Sequence, residues 1–260
     1  MAKSGQARVP SPSEQRRLFS VIQEHRHPEK NMAIMQVSFK LGLRVQEIAL
    51  LQLKEVCRLD RVKKHSPRNF ELLQVMSLPA AYTKGADALG RSKTKYERKT
   101  VSFKIEEFDH IVRQVEKLAK AGAEINPSDY YPAVKKHKGK SRDLPLVDKA
   151  LREALINYLT VRLEQDPGAK PSDPLFISQK GGPYSANTLQ EHMALMLRDW
   201  AGIEKASSHS GRRSLITNVI HKQKKSVKVA QKIAGHVSPA TTIIYEEPPE
   251  EEIADALKNA

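Results

Sequence analysis

Cysteine is almost absent from this 260-residue chain: Cys57 stands alone, which excludes an internal disulfide and a multi-cysteine zinc site and suits a reducing compartment. No apolar run approaches the roughly 20 residues that a membrane-spanning helix needs. The first twelve residues are polar, with Lys3, Ser4, Gly5, Arg8 and two prolines. They lack the apolar stretch of a secretory signal, which argues against export. No period of roughly 20 to 50 residues recurs, so solenoids and propellers drop out. Acid is also in short supply, with 30 Asp and Glu against 44 Lys and Arg, a net charge of +14 at pH 7. The isoelectric point near 9.7 favours a polyanionic partner such as nucleic acid. What acid there is gathers at the end: residues 246–260 hold six carboxylates and one lysine, so the preceding 245 residues carry +19.

Against these absences, a hydrophobic content of 39% is enough to build a core for one large domain or two modest ones. Helical spacing dominates. Ser13 is the expected N-cap of a first helix through Leu18, Val21 and Ile22, a second helix covers 32–40 until Gly42 interrupts it, and a third covers 45–53. Phe70 to Tyr82 and Arg98 to Phe103 read as paired strands, and 143–147 as a further short strand. Between the paired strands, 84–99 holds two glycines and six Lys or Arg, the composition of an exposed loop over a polyanion. Helices are expected at 104–121, from Leu151 to Leu163, at 188–200, 211–222 and 227–234, and as a short turn at 241–245. The fold class is α+β, mainly α, with a small antiparallel β-sheet.

Three segments hold the unusual polar residues. Gly42-Leu43-Arg44-x-x-Glu47 places Arg44 at a helix start, where by itself it reads as a surface arginine paired with Glu47. In Ser207-Ser208-His209-Ser210-Gly211-Arg212-Arg213, His209 and Arg212 stand at i and i+3, so both side chains can reach one spot at a helix N-terminus. That end favours an anion, and basic residues there oppose the helix dipole, a cost that function would explain. Gly235-His236 ends one helix, Ser238 and Pro239 restart another, and Tyr245 follows nine residues after His236. Alone, that histidine is a structural residue beside a helix-capping glycine and that tyrosine a core residue with a wet hydroxyl.

Together the segments resemble the catalytic domain of the tyrosine recombinase, or phage integrase, family. They match its Gly-Leu-Arg-x-x-Glu segment, basic hairpin, His-x-x-Arg, Gly-His and tyrosine in order and spacing, over about residues 12 to 250. Leu144-Pro145-Leu146, Leu175 to Ser178 and Gly181-Gly182 are further landmarks. The resemblance implies a site-specific recombinase or integrase that cleaves and rejoins DNA through a 3′-phosphotyrosyl bond on Tyr245, with neither metal, ATP nor other cofactor. Arg44 and Arg212 would hold the non-bridging phosphate oxygens, His209 would act as acid or base, and His236 would donate a hydrogen bond to the phosphate. These roles fit elementary chemistry, because two guanidinium groups offer bidentate donors to a phosphorane and a phenol of pKa near 10 attacks well only beside cationic charge.

The family's hairpin lysine has two places to be. Lys84 follows the first strand in Tyr82-Thr83-Lys84-Gly85, whereas Lys136, Lys138 and Lys140 form a rival turn before Leu144-Pro145-Leu146. Lys84 is preferred if 104–135 is an insertion. Lys93, Lys95, Lys136, Lys138, Lys140 and Arg213 are expected DNA contacts, of which phosphate binding without sequence preference is the simplest form. The expected organisation is a polar segment 1–12, a catalytic domain 13–245 and an acidic tail 246–260. By resemblance the tail docks on a neighbouring subunit of a tetramer on double-stranded DNA, with DNA-bending accessory proteins as further partners. A bacterial, phage or mobile-element origin and a cytoplasmic, nucleoid-associated location follow from the same resemblance. Only about a dozen residues precede the first expected helix, where the family usually has a separate N-terminal clamp domain, as expected of either a catalytic fragment or a naturally minimal enzyme. A type IB topoisomerase and a silent DNA-binding module are the competing functions, and the scattered carboxylates form no ligand set for a metal-dependent nuclease.

Overall fold

The computed structural model describes residues 7–59, 69–79, 82, 105–124, 141–236, 238–245 and 257–258. Two compact units divide the chain, residues 1–83 with 140–260 in the first and 84–139 in the second. Of the second unit, residues 105–124 are described, and they hold helix α4, Ile105–Lys120. It exposes Phe108 and Val112 and half-buries Ile111, Val115 and Leu118.

The first unit is mainly helical. Helix α1, Pro12–Ile22, is capped by Ser11 rather than Ser13. Ser11 Oγ accepts from the Glu14 N–H and Glu14 Oε2 accepts from the Ser11 N–H, a reciprocal box that leaves Ser13 inside the helix. Helix α2, Pro28–Gln36, begins four residues earlier than its apolar pattern, because Pro28 fits a first helical turn where its missing N–H costs nothing. It continues as a π-helical turn, Val37–Leu41, and stops at Gly42, whose φ of 61° admits the left-handed conformation. Helix α3, Val45–Leu50, is followed by a 3-10 turn, Leu53–Glu55.

Phe70 to Tyr82 is not one strand. It divides into β2, Phe70–Leu72, and β3, Val75–Leu78, which pair with different partners. Strand β1, Cys57–Leu59, lies antiparallel to β2, and β4, Arg142–Pro145, lies antiparallel to β3 with Leu78 opposite Arg142. The switch falls at Leu73 and Gln74, where Leu73 N–H donates to Val56 and Gln74 accepts from Leu146. Strand β4 ends at Pro145, two residues before the expected Val147. The strand expected at 98–103 lies outside the described residues.

Helix α5, Lys149–Gln165, and helix α6, Ala186–Ala194, are capped by Asp148 and Ser185. Helix α6 runs into a π-helical turn, Leu195–Trp200. Helix α7, Ser210–Thr217, continues as another, Asn218–Lys222, and is followed by α8, Val227–Ala234, and the four-residue α9, Ala240–Ile243. Pro239, not Ser238, occupies the α9 cap. One large core joins α1, α2, α3, α5 and α6 through Leu18, Ile34, Ile48, Leu155, Phe176 and Met193. A second, smaller cluster, Ile216, Val219, Ile220, Ala230 and Ala234, holds α7 against α8, and Tyr245 packs on it. Cys57 is buried in the large core, and burial pushes its thiol up to about 12.

Candidate active site

The site is assembled around one buried carboxylate. Glu47, in the first turn of α3, has no solvent exposure. Its Oε2 accepts from the Arg44 backbone N–H at 2.8 Å and its Oε1 from Arg44 Nη1 at 3.0 Å. Oε2 also accepts from Arg142 Nη2 at 2.8 Å, across 95 residues of sequence. Glu47 therefore caps its own helix and fixes two guanidinium groups, only one of which is its helical neighbour.

Arg212 is held differently. Its side chain is buried, yet its hydrogen bonds run to neutral acceptors: Nη1 donates to the Gly42 carbonyl at 2.5 Å and Nη2 to the Ala234 carbonyl at 2.6 Å. Gly42 ends the Val37–Leu41 turn and Ala234 ends α8, so one guanidinium ties together two helix C-termini, where orphan carbonyls and the negative end of the dipole favour a cation. Gly211 permits the approach of α7, because a Cβ there would collide with Ser38 and Phe39. Guanidinium carries five N–H donors, so two bonds leave donor capacity and an uncancelled charge facing the site.

The turn after α8 positions the next group. His236 N–H donates to the Gln231 carbonyl at 3.2 Å and Gln231 Nε2 donates to the His236 carbonyl at 3.1 Å, with Gly235 at φ 63° between them. The buried His236 ring bonds through Nδ1 to Thr242 Oγ1 at 2.8 Å. Its face lies against the Tyr245 ring, with centroids 5.9 Å apart and planes 17° from parallel. Tyr245 is half-buried, its carbonyl accepts from His221 Nε2 at 3.0 Å, and the Arg213 guanidinium lies 5.8 Å from its ring centroid.

Electrostatics binds these groups into one site. Burial, then the charges of Arg44 and Arg142, pulls Arg212 down to about 9 against the support of Glu47 and Tyr245. Burial, then Arg212, Arg44 and Arg142, holds His236 down to about 4, so it is neutral at pH 7. Arg142 is also held below the ordinary arginine range by its burial, with Glu47 opposing that and Arg44 adding to it. Three guanidinium groups against one carboxylate leave a concentrated positive field that an anion would relieve.

Of the residues singled out from sequence, Arg44, Arg212, His236 and Tyr245 meet here, with Arg213 at the tyrosine. His209 stands exposed at the start of α7, one turn before Arg212, with Ser208 Oγ 3.5 Å from its Nδ1. Lys84, Lys93, Lys95, Lys136, Lys138 and Lys140 lie outside the described residues. Sequence reasoning gave Glu47 only a surface ion pair and gave Arg142 no role. Arg142 sits beside a recognisable Leu-Pro-Leu landmark, but nothing in its neighbourhood distinguishes it from the basic residues before it.

Comparison with solved structures bears on the fold. The chain superposes on XerA recombinase with a TM-score of 0.59 at 18% identity, covering 100% of this chain and 65% of that one. It superposes on the Tn1549 transposon integrase in complex with transposon right end DNA with a TM-score of 0.58 at 15% identity, covering 100% and 68%. These likenesses establish a tyrosine-recombinase catalytic-domain fold. In sequence, the chain is 35% identical over 107 residues to the tyrosine recombinase XerC of Methylobacterium nodulans, covering 41% of this chain and 31% of that protein. To XerC of Nitrobacter winogradskyi it is 30% identical over 122 residues, covering 46% and 36%. The chain thus matches about a third of the length of these curated relatives. The model of the phage integrase family matches residues 123–252, a span that takes in Arg142, the His209 to Arg212 turn, Gly235-His236 and Tyr245. With half of its length matched by that model and its fold shared with solved recombinases, the chain belongs to the phage integrase family.

Proposed function

We propose that this chain cleaves and rejoins double-stranded DNA at specific sites through a covalent bond between Tyr245 and a 3′-phosphate. The observation that carries the reading is the convergence of Arg212, Arg44 and neutral His236 beside the Tyr245 ring. Tyr245 Oη attacks the scissile phosphorus, the bond from phosphorus to the 5′-oxygen breaks, and a 3′-phosphotyrosyl ester and a free 5′-hydroxyl result. The phenolic proton passes to a base, for which exposed His209 is the candidate, and the departing 5′-oxygen takes a proton from a general acid. Lys84 is the preferred acid and Lys136, Lys138 and Lys140 are its rivals.

Arg44 and Arg212 neutralise the non-bridging oxygens as charge builds on the phosphorane. His236, bonded to Thr242 through Nδ1, keeps Nε2 for the phosphate. Attack by a 5′-hydroxyl on the phosphotyrosine reverses the step with no net change in phosphodiester bonds, so ATP is not consumed. Arginines supply the charge stabilisation, which leaves no role for a divalent ion. The remaining basic residues, Arg213, Lys93 and Lys95 among them, hold the duplex by its phosphates. Joining two sites calls for a tetramer on DNA, with the acidic tail 246–260 meeting a basic surface of the next protomer and DNA-bending proteins shaping the substrate.

The test incubates wild type and Tyr245→Phe with supercoiled plasmid or nicked candidate attachment sites in EDTA and resolves the products on a denaturing gel. A covalent adduct from wild type alone is expected. An equal adduct from both proteins would remove Tyr245 from the role, and tight binding without any adduct would make the chain a DNA-binding module. A two-site substrate then separates recombination from simple relaxation, since only the former yields joined heterologous ends.

A further inference from the structure

We propose that Arg142 is a positioning residue of this site, a guanidinium strut that sets Glu47 and the Gly235-His236 turn at their working separation without itself touching the DNA. The inference rests on the functional reading above and assigns a role to a residue that the reading leaves unused.

Three observations carry it. Arg142 is placed by β4, opposite Leu78, yet its side chain is only 8% exposed and leaves the strand to reach two other elements. One end, Nη2, donates to Glu47 Oε2 at 2.8 Å, the carboxylate that also fixes Arg44. The other, Nη1, donates to the Ala234 carbonyl at 2.9 Å, the same oxygen that accepts from Arg212. A single side chain thus connects the partner of one phosphate-binding arginine to the acceptor of the other. The fork of the guanidinium makes both bonds in one plane, which a lysine amine cannot reproduce.

The second observation concerns Gly235. Its positive φ already favours glycine, but a Cβ built there would collide with Arg142 Nη1 and come within 3.1 Å of Cζ. The residue before His236 is therefore closed to side chains by Arg142 as well as by its backbone. The third is the buried Nε of Arg142, which has no hydrogen-bond partner among the described residues. A buried donor left unmade is costly, and its persistence is explained if the two Nη bonds dictate the geometry. The charge of Arg142 also contributes to holding His236 neutral.

The test is single-turnover formation of the phosphotyrosyl adduct on a nicked duplex, with duplex affinity measured separately. Arg142→Ala is expected to slow cleavage by about 100-fold, the scale for reacting groups displaced by an ångström, while changing affinity by less than about threefold. Millimolar guanidinium should recover much of that rate, and urea, which has the shape without the charge, should not. Loss of affinity in parallel with rate, rescue by urea to the same extent, or no rescue by either would overturn the proposal. If Arg142→Ala fails to fold, Arg142→Lys decides: slow cleavage at retained affinity supports the strut, and wild-type cleavage overturns it. Thermal melting of Gly235→Ala, alone and combined with Arg142→Lys and Arg142→Ala, provides a readout independent of activity. Gly235→Ala should cost more melting temperature in the presence of Arg142 than with Arg142→Ala, and strict additivity would overturn the contact. Should wild type form no adduct at all, the functional reading fails, and the melting cycle still decides whether Arg142 braces the turn.

Discussion

Replacing Glu47 by glutamine should destabilise the protein by about 3–5 kcal/mol, the range for removing one partner of a buried ion pair. The carboxylate is fully buried and makes three hydrogen bonds, two to Arg44 and one to Arg142. A charge pair at 2.8 Å is worth about 6 kcal/mol at an effective dielectric of 20. Removing Glu47 also removes its own desolvation cost, which offsets part of that figure. Arg44, whose side chain is 24% exposed, can turn to water, whereas Arg142 at 8% cannot, so the loss falls mainly on Arg142. Glutamine keeps one acceptor oxygen but places an amide NH2 where a second acceptor stood, leaving a donor facing a donor. Equilibrium urea unfolding of wild type and Glu47→Gln measures the difference. Duplex DNA should return part of the lost stability, because phosphates would supply the negative charge that the site then lacks. A loss below about 1 kcal/mol, unchanged by DNA, would mean that the arginines do not depend on Glu47 and would refute the electrostatic account of this site.

Two further outcomes follow from the same geometry. Gly211→Ala drives a methyl group into Ser38 and Phe39 and should cost about 1–3 kcal/mol in urea unfolding while slowing cleavage through the neighbouring Arg212. Unchanged stability would show that α7 does not depend on this close approach. The second outcome is acid sensitivity: His236 and His192 are each held down to about 4 in the folded protein, in both cases chiefly by burial. Unfolded histidine titrates near 6.5, so between about pH 6.5 and 4 the unfolded chain binds more protons and folding stability falls as pH falls. Urea midpoints at pH 7 and 5 should differ less in His236→Gln than in wild type, and an identical pH dependence would remove His236 from the effect.

Much of the site was legible because its signals are local. Arg44 stands at the start of α3, Gly235 ends α8 with positive φ, and the i to i+3 spacing of His209 and Arg212 holds across the first turn of α7. Helix α8, Val227–Ala234, has the bounds that the sequence predicts, ending at the glycine that follows it. The errors arose where a local rule had a competitor. Ser11 and Ser13 both suit an N-cap, and only the reciprocal bond with Glu14 selects Ser11. The stretch from Phe70 to Tyr82 is apolar enough for one long strand, but the bonds at Leu73 and Gln74 hand it from β1 to β4.

The sequence by itself determined the order of helices, the excess of positive charge and the candidate side chains of the site, since each depends on composition or on neighbours within a few turns of chain. Tertiary structure decided which charges share a carboxylate and which carbonyls hold an arginine. Arg142 reaches Glu47 across 95 residues and Ala234 across 92, and Arg212 reaches Gly42 across 170. No local propensity encodes such meetings. They arise because burying the two apolar clusters brings β4, α3 and the end of α8 together, and polar groups enclosed there must find partners or remain at a cost.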